Sequence, residues 1–233
     1  MKAHLTPSVS ISLSILMNAL IPNQIRRPRD VVYESLKRQI MLNELRPESA
    51  LTELGMAREH GCSQGTIREA LLRLQEDGLV TRSGHRGTMV TRLDPEEAEE
   101  ILALRRRIEI RGALRAVQHV ERDSLERLYA IQADMDAVAA AGDEYALIIL
   151  DMAFHLTIFR LSGLDALEQI LTRCTLHSHR SKLWAPGHRR PLAETAARHG
   201  ILLALLEARD GEGLSQAMAE HIDTIVLRDG AAE

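Results

Sequence analysis

Residues 62–90, CSQGTIREALLRLQEDGLVTRSGHRGTMV, decide the fold of the amino-terminal third of this 233-residue chain. Ser63 is a good helix N-cap, because its hydroxyl can accept from the free amides of the first helical turn. Apolar residues then recur near the helical period and form a stripe that we expect to be buried: Ile67, Leu71, Leu72 and Leu74. Gly78 ends this helix, and two short strands follow it, separated by a basic turn that contains glycine. The segment therefore predicts a helix followed by a β-hairpin.

Two further helices are expected before this segment. The first carries its apolar residues on one face: Val32, Leu36, Ile40 and Met41. The sequence Leu45-Arg46-Pro47 terminates it. Residues 51–60 form a second, short helix, and Gly61 provides the turn into the third. Three helices and a hairpin with a basic tip are typical of a winged helix-turn-helix, whose third helix enters the major groove of DNA.

The same region resembles the DNA-binding domain of the GntR family of bacterial transcription regulators. The family pattern runs roughly L-x-E-x-x-LA-x-x-x-G-V-S-R-x-x-V-REAL-x-x-L-x-x-x-GL and ends in a G-x-G-x-x-V wing. The matching residues of this chain are Leu51, Glu53, Met56, Ala57, Gly61, Ser63, Arg68, Glu69, Ala70, Leu71, Leu74, Gly78, Leu79, Gly87 and Val90. An isolated apolar helix with a glycine turn would be a weak indication, whereas this ordered set is specific.

The resemblance implies that the third helix and the wing contact DNA. The expected contact residues are Ser63, Gln64, Thr66, Arg68, Arg73, His85, Arg86 and Gly87. Two positions depart from the family pattern: Gln64 replaces an arginine, and Glu48 replaces the glycine that usually follows Pro47. Arginine bonds bidentately to guanine, whereas glutamine favours adenine by the same geometry. We therefore expect an operator that deviates from the usual half-site. The alternative is that Arg68 and Arg73 are merely solvated helix residues.

Composition favours a helical protein with a basic amino-terminal part, residues 26–92, and an acidic carboxyl-terminal part, residues 93–233. These two parts are called the head and the body below. Hydrophobic residues make up 45% of the chain and aromatic residues 3%, which suits helices more than a β-sandwich or barrel. Residues 26–92 contain 12 Lys and Arg against 9 Asp and Glu, whereas residues 93–233 contain 16 against 24. This distribution fits a nucleic-acid contact confined to the head. Cys62 and Cys174 form no C-x-x-C pair, so we expect a reducing, cytoplasmic location without disulfides.

Residues 1–25 differ from the rest of the chain, because His4 is the only ionisable side chain between Lys2 and Arg26. Residues 9–21 are largely apolar, but serines and an asparagine interrupt the run, which is also too short to span a membrane. We interpret this segment as a flexible arm, or as residues upstream of a true start at Met17. A dimer contact and a targeting signal are the alternatives, and the DNA-binding domain directly downstream argues against export.

A second domain is expected over residues 93–233, after a winged helix-turn-helix domain over residues 26–92. Asp94, Pro95 and Glu97 mark the boundary with an N-cap, a first-turn proline and a capping box. Helical segments are predicted at 95–119, 123–141, 144–162, 164–184, 191–208 and 212–228. The fold class is therefore mainly α: a winged helix-turn-helix with a small β-hairpin, then an all-helical bundle of about six helices.

One carboxylate and three imidazoles are candidate metal ligands in this bundle. Asp151 and His155 are four residues apart, so both project from the same face of one helix. His199 and His221 lie on later helices. If the four side chains converge, they form a nitrogen-rich site of the type that binds zinc, nickel or manganese. The alternative for each histidine is a buried ring that hydrogen bonds satisfy.

The body resembles the FCD ligand-binding domain of the FadR branch of the GntR family. The resemblance rests on the D-x3-H element at 151–155, the later H-x6-[AL] and M-x2-H elements that contain His199 and His221, and the L-R-x-x-I-E opening at 104–109. The separations of 44 residues from His155 to His199 and 22 residues from His199 to His221 also fit. The resemblance implies that the four residues hold a divalent metal.

A metal in such a pocket can hold a carboxylate or hydroxyl of a small effector at its open coordination positions. By resemblance the effector is a small organic acid, and Arg105 is the expected additional anion contact. The alternative for Arg105 is a surface position beside Arg106 and Arg107. Trp184 is expected either to line the effector pocket or to pack in the core. His177 and His179 are further polar candidates, which we do not assign as ligands.

Together these features predict a ligand-responsive transcription regulator rather than an enzyme. It is expected to be a repressor that binds a palindromic operator in double-stranded DNA as a homodimer, without membrane contact. One alternative is a metal-dependent hydrolase with Asp151, His155, His199 and His221 at its catalytic centre. The fused DNA-binding head and the lack of a clear general base disfavour it. The other alternative is a regulator whose metal is purely structural.

Overall fold

The computed structural model describes residues 27–83, 87–185 and 190–225. The amino-terminal part contains three packed helices within these ranges: α1 (Pro28–Met41), α2 (Glu53–Glu59) and α3 (Gln64–Glu76). Its strands form an antiparallel sheet in the order β1-β3-β2: β1 (Ala50–Leu51), β2 (Val80–Ser83) and β3 (Gly87–Val90). The predicted winged helix-turn-helix is confirmed. The arm predicted over residues 1–25 and the wing residues His85 and Arg86 lie outside the described residues.

An apolar core between α1, α3 and the sheet holds this head together. The predicted face of α1 is buried, and so are Ile67, Leu71 and Leu74 of α3. Each such burial stabilises the fold by about 1.5–3 kcal/mol. Ser63 caps α3 as predicted, since its hydroxyl accepts from the Thr66 amide at 3.1 Å. The prediction for Leu72 is wrong: it is 45% exposed, because the helical period turns it away from the stripe and places Ala70 there instead.

The ends of the first two helices differ from the prediction. Helix α1 stops at Met41, before Leu45, and Asn43 takes a left-handed φ of 61° just after it. Helix α2 begins at Glu53, with the Thr52 hydroxyl accepting from the Gly55 amide at 3.2 Å. It begins later than expected because residues 50 and 51 pair with β3.

The carboxyl-terminal part is helical throughout its described residues, as predicted. Its helices are α4 (Pro95–Ala116), α5 (Arg122–Ala140), α6 (Glu144–Arg160), α7 (Glu168–Trp184), α8 (Leu192–Ala197), α9 (His199–Glu207) and α10 (Gly211–Asp223). The helix predicted over 191–208 is divided at Arg198, and a 3-10 turn at Asp165–Leu167 precedes α7. The predicted capping box of Asp94 and Glu97 begins α4. No helix in the described ranges combines the length and apolarity that crossing a membrane requires.

Helix α6 lies at the centre of the body and is buried along most of its length. Leu147, Leu150 and Phe154 belong to the apolar core that α6 shares with α5, α9 and α10. Tyr145, Ile148 and Met152 instead join the apolar cluster of the head. Because α6 contributes to both cores, side chains on its remaining face are held between fixed neighbours.

Helix α7 connects the body to the head through polar contacts. The His177 Nε2 lies 2.9 Å from the carbonyl oxygen of Asp77, at the end of α3. Arg180 donates to the Thr91 hydroxyl at 2.6 Å and also to the Thr91 carbonyl, just after β3. Trp184 donates through Nε1 to the Met41 carbonyl at 3.2 Å. One face of α7 thus contacts the third helix, the wing and the first helix of the head.

Candidate metal centre and DNA-binding surface

Asp151, His155, His199 and His221 converge in the interior of the body. Each offers one donor atom, and these atoms all lie within 4.8 Å of one another. None of the four residues is more than 7% exposed. Three chain segments meet here, since α6 carries the first two residues, α9 begins at His199 and α10 carries His221. The structure therefore brings together all four residues that the sequence suggested as metal ligands.

The carboxylate of Asp151 is contacted on both oxygens. Its Oδ1 lies 3.0 Å from the Nε2 of His199, and its Oδ2 lies 2.7 Å from the Nε2 of His179 on α7. The Nε2 atoms of His155 and His221 are 3.2 Å apart. The rings of His199 and His221 have centroids 4.5 Å apart. The cluster is therefore tightly packed around ring nitrogens and one carboxylate.

The contacts of the two ring nitrogens of His199 show whether the cluster suits a cation. Its Nδ1 lies 3.2 Å from the carbonyl oxygens of both Thr195 and Ala196, which can only accept hydrogen bonds. The proton of the neutral ring therefore sits on Nδ1, and Nε2 carries a lone pair. That lone pair faces a carboxylate oxygen of Asp151, so two acceptors lie 3.0 Å apart. Either a second proton on the ring or a cation between the two atoms removes their repulsion, and the donor set fits a divalent metal.

A second layer of side chains orients the cluster. Glu109 on α4 accepts from the Nδ1 of His155, which directs the other nitrogen of that ring toward His221. Arg105, one turn earlier, donates through Nε to the other oxygen of Glu109 at 2.6 Å. Carboxylates that hold a metal-ligating histidine in this way fix its tautomer and raise its basicity.

Arg105 is completely buried, which excludes the surface position considered as its alternative. Its Nη2 lies 3.9 Å from the Oδ2 of Asp151. Both terminal nitrogens of Arg105 lack a hydrogen-bond partner among the described residues. A buried guanidinium with two unsatisfied donors beside Asp151 is suited to receive a carboxylate.

The neighbouring charges set the ionisation of this cluster. Burial alone would raise the pKa of Glu109, but His155 and Arg105 outweigh it and lower that pKa to about 2. Burial also opposes ionisation of Asp151, yet His179 and His155 hold its pKa well below the ordinary value. Burial, and then the nearby rings of His155 and His199, hold the pKa of His221 well below its usual range. Near pH 7 the carboxylates are therefore ionised and His221 is neutral, which are the forms that ligate metals.

A small cavity lies beside Asp151 among the described residues. A cavity of about 10 Å³ borders Asp151, His179, Lys182 and Thr195, between α6, α7 and α8. This is roughly the space that one water molecule needs. In this conformation that cavity is therefore too small for an organic acid.

Sequence reasoning missed the supporting residues more than the central ones. Glu109 entered only as a motif residue, and His179 only as a polar candidate. Lys182, which lines the small cavity, was not considered. The available signal was helical spacing: Glu109 follows Arg105 by four residues, and Lys182 follows His179 by three. Trp184 contacts the Met41 carbonyl and the Arg180 guanidinium, and among the described residues no hydrogen bond or ring contact joins it to the cluster.

The predicted DNA-binding surface lies on α3 and the wing. Gln64, Arg68 and Arg73 are exposed, while Thr66 is half-buried beside the cap residue Ser63. The Nη2 of Arg68 lies 2.7 Å from a carboxylate oxygen of Glu53, and Arg82 of the wing contacts the same carboxylate at 2.9 Å. Two predicted wing-tip contacts, His85 and Arg86, lie outside the described residues, and Gly87 begins β3.

Arg73 is held differently from Arg68. Its Nη1 lies 2.6 Å from Asp30, and its guanidinium lies 3.9 Å from the centroid of the Tyr33 ring. Both partners belong to α1, so Arg73 connects α3 to α1 within the head. Arg68 and Gln64 are therefore better placed than Arg73 to reach a groove that receives the start of α3.

Both parts of the chain match known families. Residues 28–90 match the bacterial regulatory proteins of the gntR family, and residues 100–224 match the FCD domain. The HTH-type transcriptional regulator McbR of Escherichia coli K12 is 26% identical over 193 residues, which are 81% of this chain and 86% of McbR. An uncharacterized HTH-type transcriptional regulator of Streptomyces ambofaciens is 33% identical over 146 residues, covering 59% of this chain and 58% of the relative.

Solved structures share the fold. The structure of E. coli McbR/YncC aligns with a TM-score of 0.71 at 23% identity, over 86% of this chain and 95% of that one. A putative transcriptional regulator GntR from Rhodococcus sp. RHA1 aligns with a TM-score of 0.69 at 21% identity, over 84% and 94% of the two chains. Because the FCD match alone spans more than half of the sequence, this chain belongs to the GntR family of DNA-binding transcription regulators and carries an FCD domain.

Proposed function

We propose that this regulator is a homodimeric repressor that responds to a small organic acid at a divalent metal site. The metal would be held by Asp151, His155, His199 and His221, with zinc, nickel and manganese as the ions that suit such nitrogen and oxygen donors. The observation that carries the proposal is the 3.0 Å approach of the His199 lone pair to the Asp151 carboxylate, with two more imidazoles beside them. When bound, the ion would supply open coordination positions for a carboxylate or hydroxyl of the effector.

The charges around the site support an acidic effector. With neutral imidazoles, the carboxylates of Asp151 and Glu109 and the guanidinium of Arg105 leave one net negative charge in the cluster. A divalent cation turns this into one net positive charge, and a buried uncompensated charge is costly. A carboxylate compensates it and can hydrogen bond to the two terminal nitrogens of Arg105, which lack a hydrogen-bond partner among the described residues. Lys182, which lines the small cavity beside Asp151, is a further cation near the site.

Effector binding at this site would require helices to move. The cavity of about 10 Å³ beside Asp151 is too small for an organic acid. Thr195 on the short helix α8 lines the cavity, and so do His179 and Lys182 on α7. We infer that the acid enters by separating α8 from α7, so that binding and a change in helix placement occur together.

Helix α7 offers a physical connection between this site and the head. His179 bonds to Asp151, and the next residue, Arg180, bonds to Thr91 beside the wing. An effector that shifts α7 would therefore alter the placement of the head. The effector would do so only to the extent that its affinity differs between the two placements of the head.

Operator recognition is proposed for the exposed residues at the start of α3. In the structure Arg68 is paired with Glu53, and DNA binding would replace this partner with phosphate or a base edge. Two copies of α3, related by the two-fold axis of a dimer, would read the halves of a palindrome. Because it would bind operators in the chromosome, the protein would act in the cytoplasm.

The test begins with selection of preferred sequences from random double-stranded DNA, followed by anisotropy titrations with metal-loaded protein. The proposal predicts a palindromic sequence that is preferred over random competitor, and release by one or more organic acids from a panel. Treatment with a chelator should abolish the acid response. A lack of sequence preference would contradict the DNA half of the proposal, and an unchanged acid response in metal-free protein would contradict the metal half.

A purely structural metal is the second candidate, and the small size of the cavity favours it. In that case the ion would hold α6, α9 and α10 together and sense nothing. Chelation would then lower the melting temperature, while no acid would change operator affinity whether metal is present or not. The hydrolase alternative has less support, because Arg105 and His155 hold Glu109 and its pKa of about 2 makes it a poor general base near neutral pH.

A further inference from the structure

A second, larger cleft lies at the junction of head and body, away from the metal cluster. Its volume is about 880 Å³, within the range of small-molecule sites. The head contributes Gly78 and Thr81, the connecting segment contributes Thr91 and Leu93, and the body contributes residues of α4 and α7. None of the four candidate metal ligands borders this cleft.

The wall that α7 forms is basic and partly buried. Beside Ile170 and Cys174 it carries Arg173, His177 and Arg180, which recur at helical spacing along one face. Arg180 is fully buried and His177 is 7% exposed, yet each keeps one nitrogen without a hydrogen-bond partner in the described part of the chain: Nε of Arg180 and Nδ1 of His177. Burial lowers the pKa of Arg180 to about 10, so its guanidinium stays charged near pH 7.

The turn at Gly78 holds this wall against the head. A Cβ atom at Gly78 would lie 2.7 Å from the Nη2 of Arg173 and 3.0 Å from the Nε2 of His177. Glycine, at a φ of +76°, thus allows both basic side chains to approach the end of α3. Since His177 Nε2 faces the Asp77 carbonyl, it donates there, and the neutral ring keeps Nδ1 as an acceptor.

The wall that α4 forms is acidic. Its exposed carboxylates belong to the first two turns of the helix: Glu96, Glu97 and Glu100. No ion pair connects Arg173 with any of these three, all of which the structure describes, although the two walls share one cleft. The basic wall of α7 and the acidic wall of α4 therefore face the same cleft. A molecule that carries one positive and one negative group could contact both walls.

We propose that this cleft binds a small zwitterion. The anionic group of the ligand would face Arg173 and Arg180. The cationic group of the ligand would face the carboxylates of the α4 wall: Glu96, Glu97 and Glu100. Such a ligand would join α4, α7 and the Gly78 turn, and would act on the placement of the head directly. The inference does not depend on the metal site, because the two sites share no candidate ligand residue.

The test uses ω-aminocarboxylates as probes, with the full-length protein in EDTA. Isothermal titration with 4-aminobutanoate, 6-aminohexanoate and 8-aminooctanoate varies the distance between the two charges. Hexanoate and hexylamine carry the single charges on a chain of matched length. The proposal predicts that at least one aminocarboxylate binds about two- to fivefold more tightly than either single-charge compound.

Two variants locate the binding and one variant controls for general effects. Arg173→Gln and Glu100→Gln should each weaken the binding of the best aminocarboxylate by about two- to fivefold. Arg122→Gln removes an exposed arginine of α5, where it pairs with Glu126, and should leave the affinity unchanged. The proposal is overturned if no aminocarboxylate binds at roughly 10 mM, if hexanoate or hexylamine binds equally well, or if both cleft variants match Arg122→Gln.

Discussion

Arg180 and Thr91 connect the helical body to the wing of the head, with Arg180 Nη1 donating to the Thr91 hydroxyl at 2.6 Å. The Thr91 hydroxyl in turn donates to the Gly78 carbonyl at 2.8 Å, so one side chain links α7, the end of α3 and the segment after β3. His179, adjacent to Arg180, contacts Asp151 in the candidate metal cluster. Neighbouring residues of α7 thus contact the two functional regions of the molecule.

Replacing Thr91 by valine should destabilise the junction. The variant keeps the side-chain shape but leaves Arg180 and the Gly78 carbonyl each short of one hydrogen bond. The expected loss in the free energy of unfolding is about 1–3 kcal/mol, measured by urea denaturation. Thr81→Val, at an exposed position of β2, serves as the control and should change stability by less than about 0.5 kcal/mol. Equal effects of the two variants would show that the Thr91 hydroxyl does not stabilise the junction.

Replacing Arg68 by alanine should weaken recognition of the selected operator. An arginine that bonds a base edge contributes about 1–3 kcal/mol to specific binding. Affinities for the selected sequence and for a scrambled duplex, measured at one salt concentration, give the loss of specificity. Arg122→Ala removes a positive charge from α5 instead and should leave operator affinity within experimental error. Unchanged specificity in Arg68→Ala would exclude base contact by this residue.

Replacing Glu48 by glycine should stabilise the protein. Glu48 is exposed and has a φ of 64°, a left-handed conformation that costs an L-residue about 1–2 kcal/mol. Glycine adopts it freely but loses more chain entropy on folding, so a net gain of about 0.5–1 kcal/mol is expected. This corresponds to a melting temperature higher by about 1–4 °C. Glu44→Gly, at an exposed position without a left-handed φ, should not stabilise; a gain there equal to that at Glu48 would contradict the explanation.

Replacing Glu109 by glutamine should weaken metal binding without removing a proposed ligand. Glutamine keeps the size of the side chain but loses the charge that orients His155. Loss of such a partner typically lowers metal affinity about 10–100-fold, which competition with a chromophoric chelator measures. Circular dichroism of the metal-free variant checks that it folds. Glu126→Gln, on the surface of α5, is the control, and equal metal affinities for the two folded variants would contradict the role given to Glu109.

Local features of the sequence predicted much of the fold. Ser63 and the Asp94–Glu97 capping box act within one helical turn, so their types and spacing were sufficient. Strand β1 escaped prediction, because two residues carry no periodicity and the strand exists only through its pairing with β3. The prediction that Leu72 belongs to the buried stripe is wrong, because its angular position on α3 turns it outward.

Site residues that lie close together in the sequence could be predicted from their spacing, whereas residues on separate helices could not. Asp151 and His155 share a face of α6, which their four-residue separation indicates. That His199 and His221 join them depends on the packing of α9 and α10, and only the family resemblance suggested it. Glu109 and His179 reach the cluster from α4 and α7, and neither residue carries a spacing relative to Asp151 that sequence alone can interpret.

The central claim is that the buried Asp151 cluster holds a divalent ion, and metal analysis of purified protein tests it most directly. After incubation with zinc, nickel or manganese and removal of excess ion, the native chain should retain about one ion per chain. His155→Ala should retain almost none, while His119→Ala, at an exposed histidine after α4, should match the native chain. An equal metal-to-protein ratio in the native chain and in His155→Ala would contradict the account, as would a native chain that retains no metal.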